Sequence, residues 1–306
     1  MSDIRKICAV IVSYNRPVLL KETIESVLAQ SEPCDILIID NASNADTHHV
    51  IRAAQATHSN IIAMFLDKNI GGAGGFHEGL KEAWRLGYDG FWLLDDDAIA
   101  EDGALRALVA ARATMNTITG HPPAFVCSNV RWIDGSACKI NVPVLNATSW
   151  LNYACAGAPY LPVRYASFVS LLISRETVRQ HGLPLKEYFI WFDDSEYTHR
   201  ISQGNEGILS LDSVVIHKTA DNINSSIILA TEQNLWKHEY GSRNKSSFLY
   251  KSYGKIKYIK NLKKVFIDSI KANISWRSRW KLIYATAIGI KFSPPIEYVV
   301  DAEIQK

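Results

Sequence analysis

The stretch Phe91-Trp92-Leu93-Leu94-Asp95-Asp96-Asp97 joins an unbroken apolar run to three consecutive carboxylates. An apolar run without alternation predicts a strand covered on both faces, as in a parallel sheet sandwiched by helices. Three adjacent carboxylates repel one another unless a cation or solvent neutralises them. At a strand end they can offer two ligands to one hard divalent ion, which in turn clamps a diphosphate. The alternative is a solvated acidic turn; the position directly after a buried strand favours the metal.

Working outward, the same arrangement recurs three times. Ile7 to Val12 is a continuous apolar run leading into Ser13-Tyr14-Asn15-Arg16-Pro17, where Asn15-Arg16-Pro17 predicts a helix start. Leu20, Ile24, Val27 and Leu28 then share one helix face. Ile36 to Ile39 ends at Asp40-Asn41-Ala42-Ser43. Ile61 to Leu66 ends at Asn69-Ile70-Gly71-Gly72-Ala73-Gly74-Gly75, before a helical stripe of Phe76, Leu80, Ala83 and Trp84. This alternation predicts an α/β fold with a doubly wound, mostly parallel sheet. Ligands in such sheets sit beyond the carboxyl ends of the strands. The glycines can let backbone approach an anion at a helix N-terminus, or can form a tight turn with no ligand. No GK[ST] follows and the spacing is wrong for GxGxxG, so neither a P-loop nor a dinucleotide fingerprint is present.

The middle of the chain is less regular. Ala124 to Val130 and Phe168 to Ile173 read as strands, and residues 132–162 as loop or short hairpins. Arg175 to His181 reads as a short helix stopped by Gly182-Leu183-Pro184. Trp191-Phe192-Asp193-Asp194-Ser195-Glu196 opens a helix running to Gln203. Its acids suit a helix N-terminus, and one carboxylate beside a dry aromatic wall can equally serve as a general base. His217 ends a strand over Ser213 to Ile216, either as a structural histidine or as the nitrogen ligand of an Asp/Asp site. His48, His49, His77, His121 and His199 read as surface or helix residues. Beyond about residue 235 the pattern turns helical, aromatic and basic.

With 47% apolar and 21% charged residues, the 306-residue chain is neither disordered nor collagenous. A net charge of +2 excludes a globally cationic nucleic-acid binder. The charge is uneven: residues 251–291 hold 11 Lys/Arg against Asp268 alone, while the remainder has 22 basic and 30 acidic residues. A basic, aromatic tail on an acidic body predicts an anionic partner for the tail, best matched by a membrane surface. Nucleic acid is not expected, because the body is acidic. Five cysteines without a CxxC pair predict buried free thiols in a reducing compartment, with no disulfide framework or zinc site. Met1-Ser2-Asp3-Ile4-Arg5-Lys6 lacks signal-peptide character, and no window approaches the roughly 20 apolar residues of a membrane span. The nearest, Leu282 to Ile290, is too short, and the expected location is cytoplasmic.

Taken in order, Val12-Ser13-Tyr14-Asn15-Arg16, Ile39-Asp40-Asn41-Ala42-Ser43, Asn69 to Phe76, Asp95-Asp96-Asp97, Phe189 to Tyr197 and Val215-Ile216-His217-Lys218 resemble the GT-A glycosyltransferases of the inverting family two. The resemblance covers roughly residues 5–245. Within that family the Gly-rich loop and the tandem Asp most resemble bacterial galactofuranosyltransferases, with rhamnosyltransferases as near neighbours. It implies a GT-A catalytic domain over 1–245, with a nucleotide-sugar half (about 1–100) and an acceptor half (about 101–245), and leaves 246–306 as a basic helical extension.

The resemblance also implies roles. Asp40 would contact the uracil or ribose, with Ser13, Asn15 and Arg16 nearby. Asn69, Gly71, Gly72 and Gly75 would lie along the diphosphate and sugar. Asp95 and Asp97, with His217, would bind Mn²⁺ or Mg²⁺, and Asp96 would reach the ribose or the metal. Arg243, within Tyr240-Gly241-Ser242-Arg243-Asn244, would approach the phosphates. Asp194 would be the base, while Trp191, Asp193 and Glu196 would position the acceptor. The implied donor is UDP-galactofuranose, with dTDP-rhamnose as the alternative. The implied acceptor is a bacterial surface glycan, lipid-linked if the tail holds the enzyme on the inner face of the membrane. One departure is Phe192, which stands between Trp191 and the Asp pair where several relatives place the Trp directly before it.

Two rival readings remain. A nucleotidyltransferase would carry a basic, glycine-containing loop after the first strand, where this chain has Ser13-Tyr14-Asn15-Arg16-Pro17. A binding module without catalysis would tolerate loss of Asp194 or His217, and both are present.

Overall fold

Strand β1 (Ile7–Ser13) is buried along its whole length. Ile7, Ala9 and Ile11 enter one hydrophobic cluster, while Cys8, Val10 and Val12 enter a second on the other face of the sheet. Successive side chains of a strand point to opposite faces, so a run apolar at every position needs a cover on both sides. The covers are helices α1 (Pro17–Leu28), α2 (Ala45–Thr57) and α3 (Gly71–Arg85), which alternate with strands β2 (Asp35–Asp40), β3 (Ile61–Phe65) and β4 (Gly90–Asp95). The structure is a computed structural model that describes residues 4–155 and 160–300.

The second half contains β5 (Ala98–Ala100), α4 (Ala104–Thr119), β6 (Phe125–Arg131), β7 (Val144–Leu145), α5 (Trp150–Cys155), β8 (Tyr160–Tyr165), β9 (Ser170–Ser174), α6 (Arg175–His181), α7 (Asp193–Ile201), β10 (Gly207–His217), α8 (Leu235–Lys271) and α9 (Trp276–Ile288). The ten strands form one sheet in the order β3-β2-β1-β4-β9-β6-β10-β8-β7, with β5 paired to β10. Strands β1 to β4 pair parallel. Strand β9 runs antiparallel between β4 and β6, and β6 pairs parallel with β10. This is a mixed, mostly parallel sheet with helical cover, as the sequence predicts.

Several local readings need correction. No side chain caps α1; Arg16 holds the N-cap position, while Asn15 (φ 57°) accepts from the Asn44 N–H and donates its own N–H to Ser43 Oγ. The glycine segment is not a loop before a helix but the first turns of α3. Within 132–162 a short helix, α5, lies among the strands; residues 156–159 of that segment, like 1–3 and 301–306, are outside the described residues. The strand expected at Ser213 begins earlier, at Gly207, because a register shift between Ser210 and Val214 interrupts its periodicity. His77 is buried in α3, with Nδ1 2.7 Å from Pro184 O and Nε2 3.0 Å from Glu297 Oε2. Cys8, Cys127 and Cys138 are buried, but Cys34 is half-buried and Cys155 exposed.

The boundary expected at 245/246 falls inside α8. This helix kinks at Gly254 (φ 79°, ψ −177°), an orientation that favours glycine. Its first half packs against the sheet domain, and its second half against α9 through Val265, Ala272, Ile274 and Leu282. The chain then returns as an extended segment. Ile296 and Phe292 pack near Tyr188, and the Leu183 N–H donates to Glu297 O at 2.8 Å. The Glu297 carboxylate accepts from Lys186 and Lys81, which hold its pKa down at about 2. Among the described residues, no helix is long and apolar enough to cross a membrane.

Candidate active site

A cleft of about 710 Å³ opens at the carboxyl ends of β1 and β4, where the sheet topology directs ligands. One wall is the acidic segment after β4. Asp96 turns inward: its Oδ2 accepts from Ser13 Oγ at 2.9 Å and from the Tyr14 N–H at 3.1 Å, and its Oδ1 from Arg16 Nη1 at 3.3 Å. These donors occupy the carboxylate, so Asp96 braces the turn and does not join the ligand cluster. Arg16 also pairs with Asp97. The other oxygen of Asp97 lies 2.9 Å from His217 Nε2, because β10 ends beside β4 through its β5 pairing.

Asp95, Asp97 and His217 each offer a ligand atom, and these atoms lie within 4.8 Å of one another. His217 Nδ1 sits 2.7 Å from Asn141 Oδ1, which fixes the proton on Nδ1 and leaves Nε2 free to act as a ligand when deprotonated. Two carboxylates and an oriented imidazole suit Mn²⁺ or Mg²⁺.

The electrostatics show how heavily this wall is loaded. Burial, then repulsion from Asp97, pushes Asp95 up to about 7. Burial also raises Asp96, to about 6, against the pull of Arg16. Burial would raise Asp97 as well, but its hydrogen bond and charge pairing with His217, and then Arg16, hold it below the usual value. Burial opposes the charge on His217, yet Asp97 lifts its pKa to about 10.

The opposite wall is residues 188–194. Phe189, Trp191 and Phe192 have φ of 64°, 63° and 67°, left-handed positions that strain a bulky residue by about 1–3 kcal/mol each. Asn244 Nδ2, fully buried on α8, meets this strain by donating to Tyr188 O at 2.8 Å, Trp191 O at 2.9 Å and Ile190 O at 3.1 Å. Arg243 does not line the cleft. Its guanidinium bonds Asn244 Oδ1 and Glu187 O and lies 3.7 Å over the Phe292 ring, so it braces the clamp. Trp191 packs so closely on α8 that a Cβ at Gly241 would come within 2.6 Å of its ring.

This loop delivers Asp193 and Asp194 to the cleft at the start of α7. Neither follows the simple capping pattern, since Phe192 holds the N-cap position and no side chain caps the helix. Asp194 Oδ1 accepts from the Ser195 N–H at 2.5 Å and from Ser195 Oγ at 3.2 Å. Burial pushes Asp194 up to about 6, while burial and the charge of Asp194 raise the deeper Asp193 well above the usual range.

Of the other residues singled out from the sequence, Ser13, Arg16, Asn69, Gly71, Gly72 and Trp191 line the cleft. Gly71 is required by its φ of 78° and because a Cβ would meet Phe189 O. Asn15, Asp40, Gly75, Glu196 and Arg243 are not in the lining. Gly75 is a packing glycine: a Cβ there would reach Val12 at 2.4 Å. Asp40 is fully buried, with Oδ2 engaged by the Ser43 N–H and by His48, and Oδ1 without a partner. Glu196 pairs with Arg200 along α7. Asn141 lies in an aperiodic segment that gives no signal in the sequence, and Asn244 stands in the Tyr240–Asn244 motif beside an arginine that is the more conspicuous residue. Asn41 stands within its motif, and no local pattern shows that it holds the start of α3, donating to Gly71 O at 3.0 Å and accepting from the Ile70 N–H at 2.8 Å.

Residues 8–150 match the family model "Glycosyl transferase family 2". Galactofuranosyltransferase GlfT1 of Mycobacterium tuberculosis (strain ATCC 25618 / H37Rv) is 29% identical over 218 residues, 68% of this chain and 69% of that protein. Its counterpart in Mycolicibacterium smegmatis is 25% identical over 210 residues, 66% of this chain and 67% of that protein. Among solved structures, the mannosyltransferase PcManGT from Pyrobaculum calidifontis, in complex with GDP-Man and Mn²⁺, superimposes with a TM-score of 0.54 at 14% identity. It covers 93% of this chain and 69% of that one. GalNAc-T7 with UDP, GalNAc and Mn²⁺ reaches a TM-score of 0.64 at 13% identity, covering 95% and 57%. These two likenesses are of fold.

The clamp makes a prediction about stability. Asn244→Ala removes the amide donor and leaves buried carbonyls unsatisfied, for an expected loss of about 2–4 kcal/mol. Urea unfolding would read this as a lower midpoint. Trp191 emission should shift red in the folded variant as the loop relaxes.

Proposed function

Since this chain is a glycosyltransferase carrying a family 2 domain on a GT-A sheet, we propose that it transfers galactofuranose from UDP-galactofuranose to a glycan hydroxyl, in bacterial cell-surface polysaccharide synthesis. The observation that carries this reading is the meeting, in one cleft, of the Asp95/Asp97/His217 ligand set and the Asp194 carboxylate. The galactofuranosyltransferase relatives support the choice of donor. So does the glycine start of α3, where Gly72 adds no bulk beside a five-membered ring and its exocyclic diol.

A Mn²⁺ or Mg²⁺ ion held by Asp95, Asp97 and His217 would supply positive charge to the leaving diphosphate. The protein's own residues do the rest. Arg16 and His217 keep Asp97 ionised, and Asn141 keeps the imidazole oriented. Trp191, stacked on Gly241, gives the acceptor sugar a rigid face. Asp194 takes the proton of the acceptor hydroxyl as that oxygen bonds to the anomeric carbon. The bond from that carbon to the UDP oxygen breaks, UDP leaves with the electron pair, and the configuration inverts. Asp193, whose carboxyl burial pushes well above the usual range, stands beside Asp194 in the cleft to position the acceptor.

The acceptor is best read as lipid-linked. The exposed face of α8 after the kink carries Ile256, Ile259, Phe266, Ile267 and Ile270 among Lys260 and Lys263, and α9 exposes Trp276, Trp280 and Tyr284 at four-residue spacing. Apolar and aromatic residues interleaved with cations suit the interface of an anionic membrane.

Three outcomes are expected. With Mn²⁺, transfer or donor hydrolysis should be seen with UDP-galactofuranose above dTDP-rhamnose, UDP-glucose and UDP-N-acetylglucosamine, and EDTA should abolish it. UDP should bind several-fold more tightly than dTDP, because a site built for the ribose 2′-hydroxyl loses about 1–3 kcal/mol without it. A preference for dTDP would point to rhamnosyl transfer.

Asp194→Asn should keep UDP binding and lower turnover by about 10² to 10⁴. In the unaltered enzyme a base raised to about 6 is lost to protonation below that value. Turnover should therefore climb with pH through about 6 and then level. A folded Asp194→Asn with normal turnover would reject the assignment.

Vesicles containing anionic lipid should sediment the protein at low salt and release it at high salt. Recovery that is equal on neutral vesicles would reject the electrostatic contact.

A further inference from the structure

A second cavity, of about 300 Å³, lies beyond the aromatic wall of the cleft. It sits where the two halves of α8 face each other across the kink, closed by residues 224–227. Trp191, Phe192 and Ser225 line both spaces, so the cavity adjoins the side of the cleft that holds Asp194. Its volume is at the low end of the roughly 300–1,000 Å³ typical of small-ligand pockets.

The charges around it do not balance. Lys264 is neutralised by Asp268, with Nζ 2.6 Å from Oδ2. Lys245 also lines the cavity, with Nζ 5.5 Å over the Phe192 ring, and has no ion-pair partner within 4 Å among the described residues. Burial, and then the charge of Lys264, lowers its pKa against the weaker pull of Asp268, while burial favours the neutral form of His238 on the same wall. Two ammonium groups thus face one carboxylate, already paired with Lys264, among uncharged donors such as Ser242 and Asn224. A neutral ligand would leave the Lys245 charge both desolvated and unpaired, and an anion would not.

We infer that this cavity is the acceptor's anion subsite: Lys245 binds a phosphate or carboxylate carried by the same molecule whose hydroxyl reaches Asp194. The word acceptor rests on the transferase reading above; the anion affinity itself does not.

The test uses the full chain in EDTA buffer, so that no divalent ion in the main cleft recruits the anion there. The probes are citronellyl phosphate, a short prenyl monophosphate, and methyl glucuronide, titrated by calorimetry. The unaltered protein should bind at least one of them. Lys245→Met should weaken that binding at least about tenfold, the loss expected for a charged hydrogen bond. Lys245→Arg should restore most of it. Lys245→Gln serves in place of Lys245→Met if thermal melting shows the latter unfolded. Binding of the phosphate alone assigns a lipid-phosphate source, and binding of the glucuronide alone an acidic sugar. Failure of both probes, or equal binding by Lys245→Met, overturns the subsite. UDP binding with Mn²⁺, measured on the same preparations, reports separately on the transferase reading. Its absence alongside Lys245-dependent anion binding would reject that reading and leave the subsite standing.

Discussion

Three carboxylates in succession at the end of one buried strand are the constraint around which this molecule is arranged. Asp96 and Asp97 are nearly fully buried, and burial alone would drive protons onto them. Arg16 from the first strand end and His217 from the last supply the opposing charge. That requirement fixes the relation of β1, β4 and β10, strands distant in sequence, to within hydrogen-bond distance at their ends. Removing one cation would leave an uncompensated buried charge, a defect that typically costs several kcal/mol. A divalent ion held there would relieve the same repulsion, so stability and ligand binding draw on one set of side chains.

The opposite wall follows a different rule. Its backbone is strained at Phe189, Trp191 and Phe192, and its own short turns, such as Ile190 N–H to Tyr188 O at 2.7 Å, leave carbonyls for an outside donor. Asn244 is that donor, from a separate helix, through three carbonyls. The first half of α8 is thus part of the site's framework, and the kink at Gly254 lets the second half turn to a different task.

How much of this was legible follows from range. The runs Ile7 to Val12, Ile36 to Ile39 and Phe91 to Leu94 announce a both-face-buried sheet because every position is apolar, and the polar residues that end them mark the cleft. α2 gave no comparable signal, since it buries only Thr47 and Ile51. β10 was read at half its length because its register shifts midway. In the site, Asp95, Asp97, His217 and Asp194 could be picked out from their places at element ends. Gly75 could not be read correctly, because its reason is the Val12 side chain on a neighbouring strand. The same holds for Arg243 and Asn244: the charged residue is the conspicuous one, and the neutral neighbour makes the three contacts with the loop.

The extended segment that returns through Phe292, Ile296 and Glu297 has a consequence for biosynthesis. Domains generally fold from the N-terminus as the chain emerges from the ribosome. The sheet and its acidic wall can form while α8 is still being made, but the strained loop has no clamp until Asn244 has emerged. Glu297 then ties the segment back to His77, Lys81 and Lys186, residues translated long before. Ordering of the second wall of the cleft thereby waits for α8 and the segment after it, and a nascent chain can hold its acidic wall together before residues 188–194 are clamped.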